Sequence, residues 1–126
     1  MINLRHLLLV GIGGLLGSVL RYVMSIYVNA RTTTSLFPWG TFTVNVAGSF
    51  VIGLVFGYSL RSQHFDVNWR LFLATGVCGG FTTFSAFSNE SYLLLRQQLH
   101  GTLLLYVAAS FIVSICATAA GYWVTR

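Results

Sequence analysis

Gly76-Val77-Cys78-Gly79-Gly80-Phe81-Thr82-Thr83-Phe84-Ser85-Ala86-Phe87-Ser88-Asn89-Glu90 reads as a helix that stops and starts again. Each glycine costs about 1 kcal/mol in a helix interior, and two threonines follow the Gly79-Gly80 pair directly, so a break is expected between Gly79 and Thr83. The surrounding apolar stretch, residues 71–95, would extend about 37 Å as continuous helix. That exceeds a bilayer core of about 30 Å, leaving length for an interruption near the midplane. In lipid, non-helical backbone survives only where protein buries it or where it lines a cavity. Its freed carbonyls suit a hard cation, so the break is either an ion site or only a kink. Beyond it, Phe84 and Phe87 share one helical face. Aromatic edges are electropositive, and the pair either packs or attracts an anion without admitting water.

The rest of the chain gives this stretch its solvent. Only 7% of the 126 residues are charged, against 56% hydrophobic, where a soluble domain carries about 25% charged residues. A chain this short keeps much of its surface exposed, so that surface must face lipid. Four apolar runs, residues 7–28, 39–60, 71–95 and 102–124, each meet the length of about 20 residues needed to cross a bilayer. Polar segments at 29–38, 61–70 and 96–101 separate them. Backbone groups in lipid must be bonded within their own segment, which favours helices over sheets. The expectation is a single all-α membrane domain, residues 1–126, with four transmembrane helices and the third broken near the midplane. Residues 7–16 resemble a signal-peptide core, but no cleavage pattern follows, and the first span is expected to stay in the mature protein.

All seven basic residues are arginine, and only Asp66 and Glu90 oppose them. Scattered singly, the arginines form no nucleic-acid patch; lipid phosphates are the expected partners. With both termini on one side, Arg5, Arg61, Arg70 and Arg126 face Arg31 and Arg96 across the membrane. The bias is too weak to fix orientation, so both orientations are open and two copies could pack antiparallel. Cys78 and Cys116 form neither a CxxC pair nor a disulfide framework. No nucleophile–base pair or metal cluster suggests an enzyme.

Polar residues inside the runs are the candidate site. Thr41, Asn45 and Ser49 recur every four positions on the second helix, and Tyr106, Ser110, Ser114 and Thr118 do the same on the fourth. A carboxamide in hydrocarbon needs a partner or a watery cavity, so Asn45 makes either an interhelical bond or part of a pore. The hydroxyl stripe reads as a polar track or as packing. Arg21 lies deep enough to require snorkelling or a role as the cationic mouth of an anion path. Glu90, the acidic residue within a span, is expected to pair with an arginine, the alternative being a proton-carrying role. Gly13/Gly17 and Gly53/Gly57 have the small-xxx-small spacing of tight helix contacts.

Taken together, Leu20-Arg21-Tyr22, Gly40-Thr41-Phe42-Thr43-Val44-Asn45, the run from Gly76 to Ser85 and the Tyr106/Ser110/Ser114 stripe resemble the Fluc (CrcB) fluoride channels of bacteria along the whole chain. The resemblance implies a dual-topology antiparallel homodimer in the bacterial inner membrane. Two passive, selective fluoride pathways would let the cell shed fluoride. It implies a structural sodium ion (Na+) at the dimer centre, held by carbonyls of Gly79 and Thr82 from both subunits. It puts the family's phenylalanine box on Phe84 and Phe87, the pore asparagine on Asn45, the polar track on Thr41, Tyr106, Ser110 and Ser114, and a pore-side hydroxyl on Ser85. The family commonly has Phe-Ser-Thr-Phe; here Ala86 stands at the threonine, and that hydroxyl is absent. The competing reading is a proton-coupled exporter of cationic drugs. It needs an accessible midplane carboxylate, which the first span lacks. A purely structural membrane subunit would leave the polar stripes unexplained.

Overall fold

A computed structural model describes all 126 residues, and every regular element in it is helical. Helix α1 (Leu4–Arg31) starts where Asn3 accepts a hydrogen bond from the Arg5 backbone N–H at 2.9 Å, satisfying one of the donors a helix start leaves free. Helix α2 (Trp39–Arg61) begins directly after Pro38, a residue whose fixed φ suits a helix entrance. The third span, Val67–Arg96, is composite. It runs through α3 (Val67–Arg70), a π-helical segment (Leu71–Cys78), the single turn α4 (Gly79–Phe81), and then α5 (Phe84–Arg96). Helix α6 (His100–Val124) closes the chain. Between α5 and α6 the backbone reverses within a few residues, with Gln98 at a φ of 58°.

The four spans contain 28, 23, 30 and 26 residues and are apolar enough to cross a membrane, which makes this a multi-pass membrane protein. The helices extend beyond the apolar runs because polar residues start them. Asp66 caps the third span, accepting from the Asn68 N–H at 2.9 Å. That backbone bond, with a second from the Asn68 side chain, holds the Asp66 carboxyl below the usual carboxylate range.

Packing follows the glycines. Helix α1 lies against the π segment so closely that a methyl on Gly17 would run into the Val77 carbonyl, and one on Gly13 would stand 2.5 Å from the Phe72 oxygen. Helices α2 and α6 form the other seam, where Gly53 abuts the Thr118 carbonyl and Gly121 the Phe50 carbonyl. Close approach of this kind replaces the hydrophobic effect, which cannot drive helices together in lipid. The interior is slim: 15 of 126 residues are buried, with Val44 and Tyr106 fully enclosed. Most of the apolar surface therefore faces outward.

The π segment was not foreseeable from residue spacing. Such hydrogen bonding is rare and usually confined to one turn, whereas here it runs for eight residues. It occupies the face where Gly76 meets the Gly13 backbone. The interruption itself is shorter than the expected Gly79 to Thr83. Gly79–Phe81 keeps helical geometry, and only Thr82 (φ −80°, ψ 156°) and Thr83 (φ −149°, ψ 117°) are extended.

Candidate functional site

The Thr82 N–H still donates to the Cys78 carbonyl at 3.0 Å, but the ladder stops there, and the backbone groups left free beyond it organise the site. In a continuous helix the Thr83 N–H would donate to the Gly79 carbonyl. Here it donates to Asn45 Oδ1 at 2.8 Å, and Asn45 Nδ2 donates back to the Thr83 carbonyl at 3.0 Å. Asn45 thus substitutes for a missing helical turn, at a place where an unpaired amide would cost several kcal/mol. Arg21 reaches the same region from α1, its Nε donating to the Gly80 carbonyl at 3.1 Å. The Thr82 hydroxyl donates to the Cys78 carbonyl at 2.9 Å. The Thr82 carbonyl accepts no hydrogen bond. Thr83 then starts α5, its hydroxyl accepting from the Ala86 N–H at 3.2 Å and lying 3.2 Å from Ser85 Oγ. This cap uses the backbone of residue 86 and works whatever side chain stands there.

Beside the break lies an open-sided groove of about 340 Å³. Asn45 and Ser49 of α2, the Thr82-Thr83 pair, Phe84 and Phe87 of α5, and Ser110 and Ser114 of α6 all line it. The Ser110 hydroxyl oxygen is buried and finds no hydrogen-bond partner within the chain. Serines in membrane helices commonly bond back to their own carbonyls, so an unpaired one beside a groove is a donor held in reserve. The Asn45 amide likewise has a second N–H beyond the one given to Thr83. The rings of Phe84 and Phe87 stand 5.7 Å apart at 40°, and Phe111 meets Phe87 edge-on at 89°. Phe84 is 73% exposed on the single chain.

At one end the groove passes Phe87 to Tyr106, whose ring centroid is 5.1 Å away. The Tyr106 and Thr41 hydroxyls do not point to open space. They donate to the two oxygens of Glu90, at 2.7 Å and 2.8 Å respectively. This corrects the expectation that Glu90 pairs with an arginine: α2 and α6 each supply a hydroxyl instead. Periodicity along one helix could not reveal the arrangement, since Thr41, Glu90 and Tyr106 come from three different helices.

Of the residues expected in an ion path, the structure brings Asn45, Phe84, Phe87, Ser110 and Ser114 together along the groove. Thr41 and Tyr106 lie at its end around Glu90. Ser85 sits next to the break on α5, bonded to Thr83, and Arg21 approaches from the α1 side with its bond to Gly80. The hydroxyl stripe does not act as one track, because Thr118 donates to the Ser49 carbonyl at 3.0 Å and belongs to the α2–α6 seam. Gly79 is exposed beside the break, and a methyl there would meet only the Ala74 carbonyl, at 3.8 Å.

Residues 8–122 match the family model described as CrcB-like protein, Camphor Resistance (CrcB). A protein of Azobacteroides pseudotrichonymphae named fluoride-specific ion channel FluC is 44% identical over 123 residues, covering 98% of each chain. A protein of the same name from Phocaeicola vulgatus is 44% identical over 124 residues, covering 98% of this chain and all of its own length. One from Agrobacterium fabrum, also so named, is 45% identical over 121 residues, covering 96% of this chain and 94% of its own.

Proposed function

The chain belongs to the CrcB-like protein family, and from that membership and the groove beside the break we propose that it is a passive, fluoride-selective channel, conducting as two antiparallel copies in the bacterial inner membrane. The observation that carries this reading is the composition of the groove wall. Fluoride is small and holds its water tightly, so a dry path must offer donors in place of hydration. The spare N–H of Asn45 and the unpaired Ser110 hydroxyl are such donors, with Ser114 continuing the row. Where donors run out, the electropositive edges of Phe84 and Phe87 take over. Ser85 adds a hydroxyl at the start of α5. Thr41 and Tyr106 form the end of the track, where their hydroxyls hold Glu90. Arg21 supports the path from outside the groove, by fixing Gly80 and by its positive charge.

An open groove on one chain is half a conduit. The exposure of Phe84 and the slimness of the interior support a second copy closing it. The weak bias of four arginines against two at the membrane surfaces supports insertion in both orientations, and hence a dual-topology homodimer. Export through such a pair would confer fluoride resistance.

The same pairing suits a central sodium ion. The chain has no grouping of His, Cys, Asp or Glu that could hold a metal. A hard cation is served by carbonyl oxygens, and the Thr82 carbonyl is unbonded while Gly79 has lost the Thr83 N–H to Asn45. These residues fit the ion as two ligands per chain, with an inverted copy supplying two more. When bound, the cation would supply positive potential near the groove and tie the copies together.

Proteoliposomes containing the protein should release fluoride much faster than chloride with no proton gradient applied. Equal rates for the two anions, or release that requires a proton gradient, would contradict the reading. Prolonged removal of sodium should reduce fluoride release, and activity indifferent to it would remove the cation site alone.

A further inference from the structure

A second concavity lies between the C-terminal ends of α2 and α6, adjoining the groove at Ile115, which lines both. It measures about 1120 Å³ and is walled mainly by apolar residues, among them Leu60, Ile115 and Ala119. Gly57 marks where the two helices touch, since a methyl there would run into the Thr125 hydroxyl and the Tyr122 backbone, and Ala119 and Ala120 add little bulk on the α6 side. Arg61, the last residue of α2, and Arg126, just past α6, both line the concavity. Neither guanidinium has a carboxylate to pair with. Asp66 is bonded to Asn68 and Glu90 to Thr41 and Tyr106, and no other side chain is acidic.

We propose that this trough is a binding site for an anionic phospholipid, with the phosphate held between Arg61 and Arg126 and an acyl chain lying along Leu60, Ile115 and Ala119. Arg61 ends one membrane span and Arg126 follows another, so both stand at the level of the lipid phosphates. Guanidinium presents a planar fork that matches phosphate, and juxtamembrane arginines attract anionic lipid. The apolar floor is what separates a lipid from a soluble anion, which would gain nothing from it. An antiparallel second copy is disfavoured on charge: the surface it would bring to this level, residues 29–38 and 96–101, carries Arg31 and Arg96 and no acidic side chain. Trp123, lining the trough and 78% exposed, reports on the occupant directly. The site requires only that the chain crosses a membrane and is independent of the ion conducted.

The test uses the full chain carrying Trp39→Phe and Trp69→Phe, so that Trp123 alone fluoresces, in phosphatidylcholine vesicles. Brominated phosphatidylglycerol or brominated phosphatidylcholine is added at equal mole fraction. Preferential occupancy predicts quenching about twofold stronger with the anionic lipid. Arg61→Gln with Arg126→Gln should abolish the difference, while Arg61→Lys with Arg126→Lys retains part of it. Equal quenching by the two lipids in the arginine-bearing protein would overturn the proposal, whether because the trough is bare or because a second copy covers it. A preference that survives the double glutamine variant would overturn it too.

Discussion

The α2–α6 seam and the broken third span are built from the same residues, glycine and threonine, and come to opposite ends. In the seam, Gly53 and Gly121 stay helical and bring two backbones together, and Thr118 bonds across to the Ser49 carbonyl. In the third span, Gly76 and Gly80 also approach α1 closely, yet the chain passes through π geometry and then leaves the helix at Thr82. The difference lies in where the backbone's bonds go. The seam keeps its helical ladder and spends side chains on contact. The break gives up its ladder and depends on Asn45 and Arg21, from two other helices, to replace what was lost. A glycine-rich membrane segment is therefore a packing surface unless a polar side chain from elsewhere is present to satisfy an opened backbone.

The largest effect should come from removing that side chain. Asn45→Leu leaves the Thr83 N–H and carbonyl unpaired, at about 1–3 kcal/mol each, so thermal melting in detergent should fall sharply and fluoride release should be lost. A variant melting like the parent would show that the break satisfies itself. Next, Gly53→Ala forces a methyl into the Thr118 backbone, an overpacking worth about 1–3 kcal/mol. Gly79→Ala, with nothing in its own chain closer than 3.8 Å, should lose less in the same melt. A loss at Gly79 as large as at Gly53 would mean that a second copy presses on this face. Smallest is Thr118→Val, which deletes one interhelical hydrogen bond worth about 0.6 kcal/mol. A large loss there would make the seam as dependent on polar bonds as the break.

Much of this was legible in the sequence because it is dictated locally. Lipid forces each apolar run to be helical, but the third run reads from residue 71, whereas the Asp66 cap starts its helix at Val67. The Gly79-Gly80-Phe81-Thr82-Thr83 run announced an interruption. Asn45, Ser110, Ser114, Phe84 and Phe87 stand out in the sequence as polar or aromatic residues on helical faces, and they line one groove. What escaped depends on which helices meet. The π segment forms against α1, and the Thr41–Glu90–Tyr106 cluster joins α2, α5 and α6. Thr118 shares a face with Ser110 but sits deep enough along α6 to find the Ser49 carbonyl. No periodicity within one helix encodes those meetings.

The central claim is that fluoride moves along the groove, past the rings beside the break. Fluoride release from proteoliposomes bearing Phe84→Ile or Phe87→Ile tests it most directly, because isoleucine keeps apolar bulk and removes the electropositive edge. Each variant should fold, and each should slow release by at least about tenfold, equivalent to about 1.4 kcal/mol in the barrier. Release at the parent's rate in both variants would assign the rings to packing and contradict the claim that the groove carries the ion.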